Sequence, residues 1–331
     1  MPSLNASMPA SRLSVTDLHT TIGIGRGMVR AVDGLSLSIR QGEIFGIAGE
    51  SGSGKSVMAF SILRLLPSNA RVVSGSIRFD GQELLALREQ QMRKMRGGRI
   101  GMIFQDPMSS LNPVLTIGDQ IRESILQHRR IGSAEVRAEV IRLMDVVEIP
   151  SAANCLRAYP HEFSGGMRQR VMIAMALAGL PALLIADEPT TALDVTVERQ
   201  IVSCLLRLRA ERGLAIMLIS HNVNLLVENC DRIAVMYAGQ VVEAADSREI
   251  FDKPAHPYTR ALLASMPRGH ISEQRLDPLP GLPPRITGER RGCSFAPRCP
   301  AAHERCAASP PLFEMSGGHL SRCWLSAAGA A

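Results

Sequence analysis

Residues 35–39, Leu-Ser-Leu-Ser-Ile, alternate apolar and polar with period two, and after a turn at Gln41 and Gly42 the run 44–48 is wholly apolar. The first pattern predicts a strand with one face in the core, the second a strand buried on both faces. Residues 49–56 then read Gly-Glu-Ser-Gly-Ser-Gly-Lys-Ser, and 57–66 show apolar positions at helical spacing until Pro67 stops them. The order is strand, glycine loop, helix. Two later apolar runs, 183–186 and 214–219, predict further buried strands. Polar residues follow each run: Asp187 and Glu188 the first, His221 the second. In an open α/β sheet, ligands gather at the carboxyl ends of the strands, where all three of these residues fall. Between 106 and 163 the spacing is helical, clearest over 121–128 and 136–147, and predicts an inserted helical segment. Past Asp252 the chain becomes rich in Pro, Gly and Arg with only short elements, so a small separate module is expected to begin there.

Composition narrows the class. The chain has 331 residues, 46% hydrophobic and 21% charged, which suits an ordinary globular protein of about two structural units. The longest uncharged apolar stretch, 171–186, falls short of the about 20 residues a membrane span needs and contains Pro181, so it predicts a buried helix followed by a buried strand. Residues 1–14 lack a basic segment followed by an apolar core, so no secretory signal and a cytoplasmic location are expected. The net charge of +6 is modest. Its densest basic run, 88–99, includes Glu89 and glutamines and no aromatic on which a base could stack, which suits a solvated helix face better than a nucleic-acid groove. Of seven cysteines, Cys155, Cys204 and Cys230 lie in apolar surroundings as expected of core residues, while Cys293, Cys299, Cys306 and Cys323 cluster near the C-terminal end.

The loop Gly49, Glu50, Ser51, Gly52, Ser53, Gly54, Lys55, Ser56 fits the phosphate-loop spacing, and its place between a strand and a helix is the context that motif requires. Glycines let backbone N–H groups surround phosphate oxygens at a helix N-terminus, which favours negative charge. Lys55 is expected to reach the β- and γ-phosphates of a nucleotide, and the Ser56 hydroxyl to ligate Mg²⁺; the loop alone does not choose among kinases, GTPases and motors. At the end of the run 183–186, Asp187 suits the Mg²⁺ shell and Glu188 the orientation or deprotonation of an attacking water.

Residues 163–170, Phe-Ser-Gly-Gly-Met-Arg-Gln-Arg, resemble the signature motif of ABC ATPases. The remaining marks of that family then fall in order: Gln105 resembles its glutamine-loop residue, Ala192, Leu193 and Asp194 its D-loop, and His221 its switch histidine. A lone histidine is more often structural than catalytic; the ordered set is specific, and the resemblance spans about residues 12–325. It implies a P-loop ABC ATPase fold of the α/β class. That fold has a core parallel sheet, an N-terminal antiparallel β subdomain, a helical insertion over about 106–165 and a small C-terminal cysteine-containing module. The nucleotide-binding domain is expected over 11–255 and the extension over 256–331. The resemblance also implies a head-to-tail dimer in which each ATP lies between one subunit's phosphate loop and the other's Ser164, Gly165 and Gly166. In it Gln105 would contact Mg²⁺ and the lytic water, and His221 would steady the γ-phosphate. One departure stands out: the family stacks adenine on an aromatic before the first core strand, yet no Phe, Tyr or Trp precedes Phe45.

Residues 255–263, Ala-His-Pro-Tyr-Thr-Arg-Ala-Leu-Leu, resemble the C-terminal mark of oligopeptide and dipeptide importer ATPases, and Phe163 with Met167 fits their D-type subunit. The implied partners are a second, F-type ATPase as heterodimer partner, two membrane permease subunits and, indirectly, a solute-binding protein, with no nucleic acid. The implied place is peripheral, on the cytoplasmic side of the inner membrane. Nickel chelates, glutathione or another small solute are alternative cargoes, and a soluble non-transport ABC ATPase is the second alternative. The four-cysteine spacing matches neither a zinc ribbon nor a bacterial ferredoxin run, so chemistry alone leaves the metal open. Resemblance to family members that carry an iron-sulfur cluster here favours 4Fe-4S over zinc.

Overall fold

The computed structural model describes residues 11–25, 27–106, 110–191, 193–265 and 281–329. In chain order its principal elements are β1 (Ser11–Ile24), β2 (Gly27–Arg40), β3 (Ile44–Ala48), α1 (Lys55–Leu63), β4 (Ala70–Phe79), β5 (Gln82–Glu83), α2 (Glu89–Met95) and β6 (Ile100–Ile103). There follow α3 (Ile117–His128), α4 (Ser133–Val146), α5 (Ala152–Cys155), α6 (Gly165–Leu177), β7 (Leu183–Asp187), α7 (Val195–Arg212), β8 (Ala215–Ile219) and α8 (Val223–Asn229). The last are β9 (Arg232–Tyr237), β10 (Gln240–Asp246), α9 (Ser247–Asp252), α10 (Pro257–Ala264), β11 (Phe313–Glu314) and β12 (Leu320–Ser321). The described residues divide into two compact units, one of 11–12, 40–43 and 86–217, the other of 13–39, 44–85, 218–265 and 281–329.

The unit that carries the glycine loop holds an antiparallel sheet in the order β2-β1-β4-β5, with Leu13 opposite Phe79 and Val15 opposite Ile77. Leu35, Leu37 and Ile39 are buried while Ser36 is exposed, so the period-two pattern reports one covered face. The same unit contains part of a core sheet: β3 runs parallel to β9, β10 turns back antiparallel on β9, and β12 and β11 extend the edge beyond β10. All five residues of β3 are buried, which is why its sequence shows no alternation. The apolar run 233–237 and the run 241–245, apolar but for the buried Glu243, make a β9–β10 hairpin beyond the strands expected from the sequence. It turns at Ala238 and Gly239, whose φ values of 46° and 83° suit the twist of a two-residue hairpin turn. The described residues beyond 252 lie within this unit.

In the other unit β6 runs parallel to β7, with Ile100 opposite Leu183 and Ile103 opposite Ala186. Helices α3, α4 and α6 pack on one another, burying Ile117, Ile121 and Ile125 on α3 and Val136, Val140 and Leu143 on α4. Helix α3 starts four residues ahead of its clearest apolar spacing because the Thr116 hydroxyl caps it, accepting from Asp119 N–H at 3.2 Å. Helix α2 exposes much of the basic run and buries only Met92 and Met95. Among the described residues no helix is long and apolar enough to cross a membrane.

Candidate nucleotide site

Strand β3 delivers the loop and α1 receives it, with Gly54 as N-cap and Lys55 as the first helical residue. Gly49 and Gly54 have φ of 148° and 101°. A side chain at either could not be accommodated: a Cβ at 49 would lie 2.4 Å from Met236 O, and one at 54 would lie 2.2 Å from Ala31 O. Lys55 is buried, and its Nζ donates to Gly49 O at 2.7 Å and Glu50 O at 3.1 Å, which brings the ammonium against the loop. Ser56 follows it on the first turn of α1. Ser53 is also buried, and its hydroxyl has no hydrogen-bond partner. Glycines in the left-handed region, a helix N-terminus, a lysine and an orphaned hydroxyl together fit a phosphate group. In the same unit His221 is exposed two residues past the end of β8, where Ser220 N–H donates to Ile47 O at 3.1 Å beside the loop's own strand.

In the other unit the parallel pairing of β6 and β7 brings Gln105 and Glu188 together just beyond the two strand ends. Gln105 Nε2 donates to Glu188 Oε2 at 3.2 Å, and Thr191 Oγ1 donates to the same oxygen at 2.9 Å. Asp187 closes β7 and is 1% exposed, whereas Glu188 leaves the strand with a left-handed φ of 49°. That conformation costs an ordinary residue about 1–2 kcal/mol, and such strain clusters at functional sites.

Ser164 caps α6, its hydroxyl accepting from Met167 N–H at 3.3 Å, and Asp194 caps α7, accepting from Val197 N–H at 2.9 Å. The two helix starts are neighbours: a Cβ on Gly166 would stand 2.6 Å from Val197 Cγ1, and one on Gly165 would stand 3.7 Å from Leu193 Cδ2. Ala192 lies outside the described residues.

Cys293, Cys299, Cys306 and Cys323 are among the residues lining one cavity of about 10 Å³. Burial pushes Cys293, Cys299 and Cys323 above the ordinary thiol range. The donor set is soft, yet the cavity has room for about one water, and among the described residues no three His, Cys, Asp or Glu side chains gather closely enough to hold a metal. Cys204 and Cys230 are buried and Cys155 partly so. Sequence reasoning missed two side chains that touch the loop, Tyr258 and Arg298, which reach Glu50 from 208 and 248 residues away.

Residues 32–191 match the family model for the ABC transporter, and residues 242–306 match that for the oligopeptide/dipeptide transporter C-terminal region. The chain is 47% identical over 312 residues to the oligopeptide transport ATP-binding protein OppD of Escherichia coli (strain K12), an alignment covering 94% of this chain and 92% of that protein. The chain belongs to the ABC transporter ATP-binding proteins. Among them it is also 47% identical over 312 residues to the dipeptide transport ATP-binding protein DppD of E. coli (strain K12), covering 94% of this chain and 95% of that one. Solved ABC structures share the fold. The ATP-binding cassette MJ0796 dimer bound to ADP and Pi has TM-score 0.64 at 28% identity, covering 71% of this chain and 99% of that one. CbiO1 of Clostridium perfringens, part of the ABC transporter complex cbiONQ, has TM-score 0.64 at 27% identity, covering 74% of this chain and 92% of that one. The protein is thus an ABC ATPase that uses ATP with Mg²⁺.

Proposed function

We propose that this ABC ATPase drives a di- or oligopeptide importer from the cytoplasmic face of the cell membrane, beside two permease subunits and a second, F-type ATPase, with a solute-binding protein delivering cargo. The observation that carries this reading is the pair of whole-chain likenesses to oligopeptide and dipeptide transport proteins, together with the matching C-terminal region. Residues 11–255 serve as the nucleotide-binding domain, with 106–165 as its helical part, and 256–331 as the extension.

In this reading the loop 49–56 binds ATP, with backbone N–H groups and Lys55 on the β- and γ-phosphates. Ser56, Gln105 and Asp187 are the residues that would hold Mg²⁺, which when bound neutralises developing charge on the phosphates. The Glu188 carboxylate, aimed by Gln105 and Thr191, orients the attacking water and takes its proton. His221 steadies the γ-phosphate. Ser164, Gly165 and Gly166 present a helix N-terminus to the ATP of the opposite subunit, and Asp194 lies at the neighbouring helix start. ATP binding then closes the dimer and hydrolysis reopens it, so differential affinity for the closed state does the work on the permeases.

Cys293, Cys299, Cys306 and Cys323 are the residues that would hold a four-thiolate centre, and resemblance to family members with an iron-sulfur cluster puts 4Fe-4S ahead of zinc. Metal analysis and visible spectra of anaerobically purified protein test this: iron with broad absorption supports the cluster, zinc alone replaces it, and neither metal removes the centre. Cargo is tested by reconstituting the complex in vesicles and comparing uptake of labelled peptides, nickel chelates and glutathione. ATP-dependent peptide uptake is expected, and uptake of another solute alone would overturn the peptide assignment.

A further inference from the structure

The phosphate loop is held by the C-terminal extension as well as by its own strand and helix. Glu50, the second residue of the loop, is gripped twice. Its carboxylate receives both arms of the Arg298 guanidinium, Nη1 to Oε2 at 2.8 Å and Nη2 to Oε1 at 3.0 Å. Its backbone N–H donates to Tyr258 Oη at 2.9 Å. Arg298 is buried, its side chain 6% exposed, and Nη1 also donates to Tyr237 Oη at 3.2 Å. Tyr237, Tyr258 and Phe295 pack as an aromatic trio with ring centroids 4.6, 5.3 and 5.4 Å apart, so the clamp rests on a stiff base.

A second arginine of the tail braces the loop from behind. Arg290 Nη2 donates to Ala238 O at 2.7 Å and Nε to Asp33 Oδ2 at 2.8 Å. Asp33 N–H donates to Gly239 O at 2.9 Å, and Gly239 N–H donates to Ser53 O at 2.9 Å.

Two physical problems of a glycine-rich anion site are met by this arrangement. Glycines leave the loop with much conformational freedom, and ordering it on binding would subtract from affinity unless the ordering is done beforehand. A carboxylate at Glu50 also works against an incoming polyphosphate, and a bidentate guanidinium cancels that charge while fixing its direction. We propose that Arg298 is a positioning residue for nucleotide binding: by clamping Glu50 it holds the phosphate loop in its binding shape and neutralises a carboxylate that would otherwise repel the phosphates. The proposal rests on the reading of 49–56 as the nucleotide loop. It makes the cysteine-bearing tail part of the ATP-binding machinery, since Arg298 ends the short turn Ala296–Arg298 directly before Cys299.

The test uses the full-length chain, with ATP affinity, KM and kcat measured for Arg298→Gln in the native background and in Glu50→Gln, and Lys55→Ala as control. Arg298→Gln is expected to raise the ATP Kd and KM about tenfold with kcat held within about twofold, in line with typical coupling between sites. In the Glu50→Gln background the same change is expected to cost less than about twofold, because no carboxylate remains to be clamped or cancelled. A merely structural arginine would cost the same in both backgrounds, and that result overturns the proposal. So does an ATP Kd unchanged by Arg298→Gln while Lys55→Ala abolishes binding. If Lys55→Ala binds ATP normally, the loop assignment itself has failed and takes the proposal with it. Should Arg298→Gln melt below the assay temperature, Arg298→Lys, which keeps the charge without the two-armed fit, is read on the same quantities.

Discussion

Glu188 combines a left-handed backbone with a carboxylate held by two donors from Gln105 and Thr191. Replacing it by Gln keeps the shape and removes the carboxylate proposed as the base. Turnover is expected to fall by about 10²–10⁴, the usual contribution of a general base, with ATP still bound and the dimer trapped closed on size-exclusion chromatography. Near-normal kcat would assign the water to another group. His256 offers a separate test on stability. Its Nδ1 accepts from Tyr258 N–H at 3.0 Å as the cap of α10, and burial lowers its pKa from 6.5 to about 4. Below pH 6.5 the unfolded histidine binds a proton that the folded one refuses until about pH 4, so stability is full above that window and falls as pH drops through it. His256→Asn keeps a capping acceptor and removes the titration. Its unfolding free energy should fall less between pH 7 and pH 5, by about 2 kcal/mol at roughly 1.4 kcal/mol per pH unit, as checked by denaturant titration at both pH values. His128, also lowered by burial, acts in the same direction in both proteins.

At the scale of elements, the geometry around Glu188 depends on how closely β6 lies to α6 and β7. Gly101 makes that approach possible: a Cβ there would stand 2.6 Å from Ala176 O and 3.1 Å from Leu184 Cδ1. Gly101→Ala should destabilise the fold by about 1–3 kcal/mol, the usual range for overpacking. Because Gln105 lies two residues past the end of β6, ATPase activity should drop with it. An unchanged melting temperature would show that the strand can shift without cost. The charged residues of the helical part are organised locally as well. Hydrogen bonds from Arg142 and Arg129 hold the Glu139 carboxyl down at about 2, tying α4 to the end of α3.

For the whole molecule, the lack of any aromatic before Phe45 bears on which nucleotide the motor accepts. Stacking on an aromatic is worth about 1–3 kcal/mol, so its loss should leave GTP turned over within about tenfold of ATP. A hundredfold preference for ATP would point to a base contact from elsewhere. The period-two and fully apolar strands, the glycine loop and the strand-end carboxylates were legible because each depends on neighbours within a few residues: a pleat, a turn, a helix start. The ordered family marks made the ABC assignment readable on the same ground. Sequence spacing could not place Gln105 against Glu188, 83 residues apart, since that pairing depends on β6 and β7 lying side by side. Nor could it reveal that Tyr258 and Arg298 grip Glu50, or that four cysteines spread over 31 positions line one cavity. The chain by itself determined the local elements and the chemistry they carry, because backbone preference and hydrophobic period act at short range. Which distant groups meet was decided by tertiary structure, because burial brings together residues that no local spacing relates.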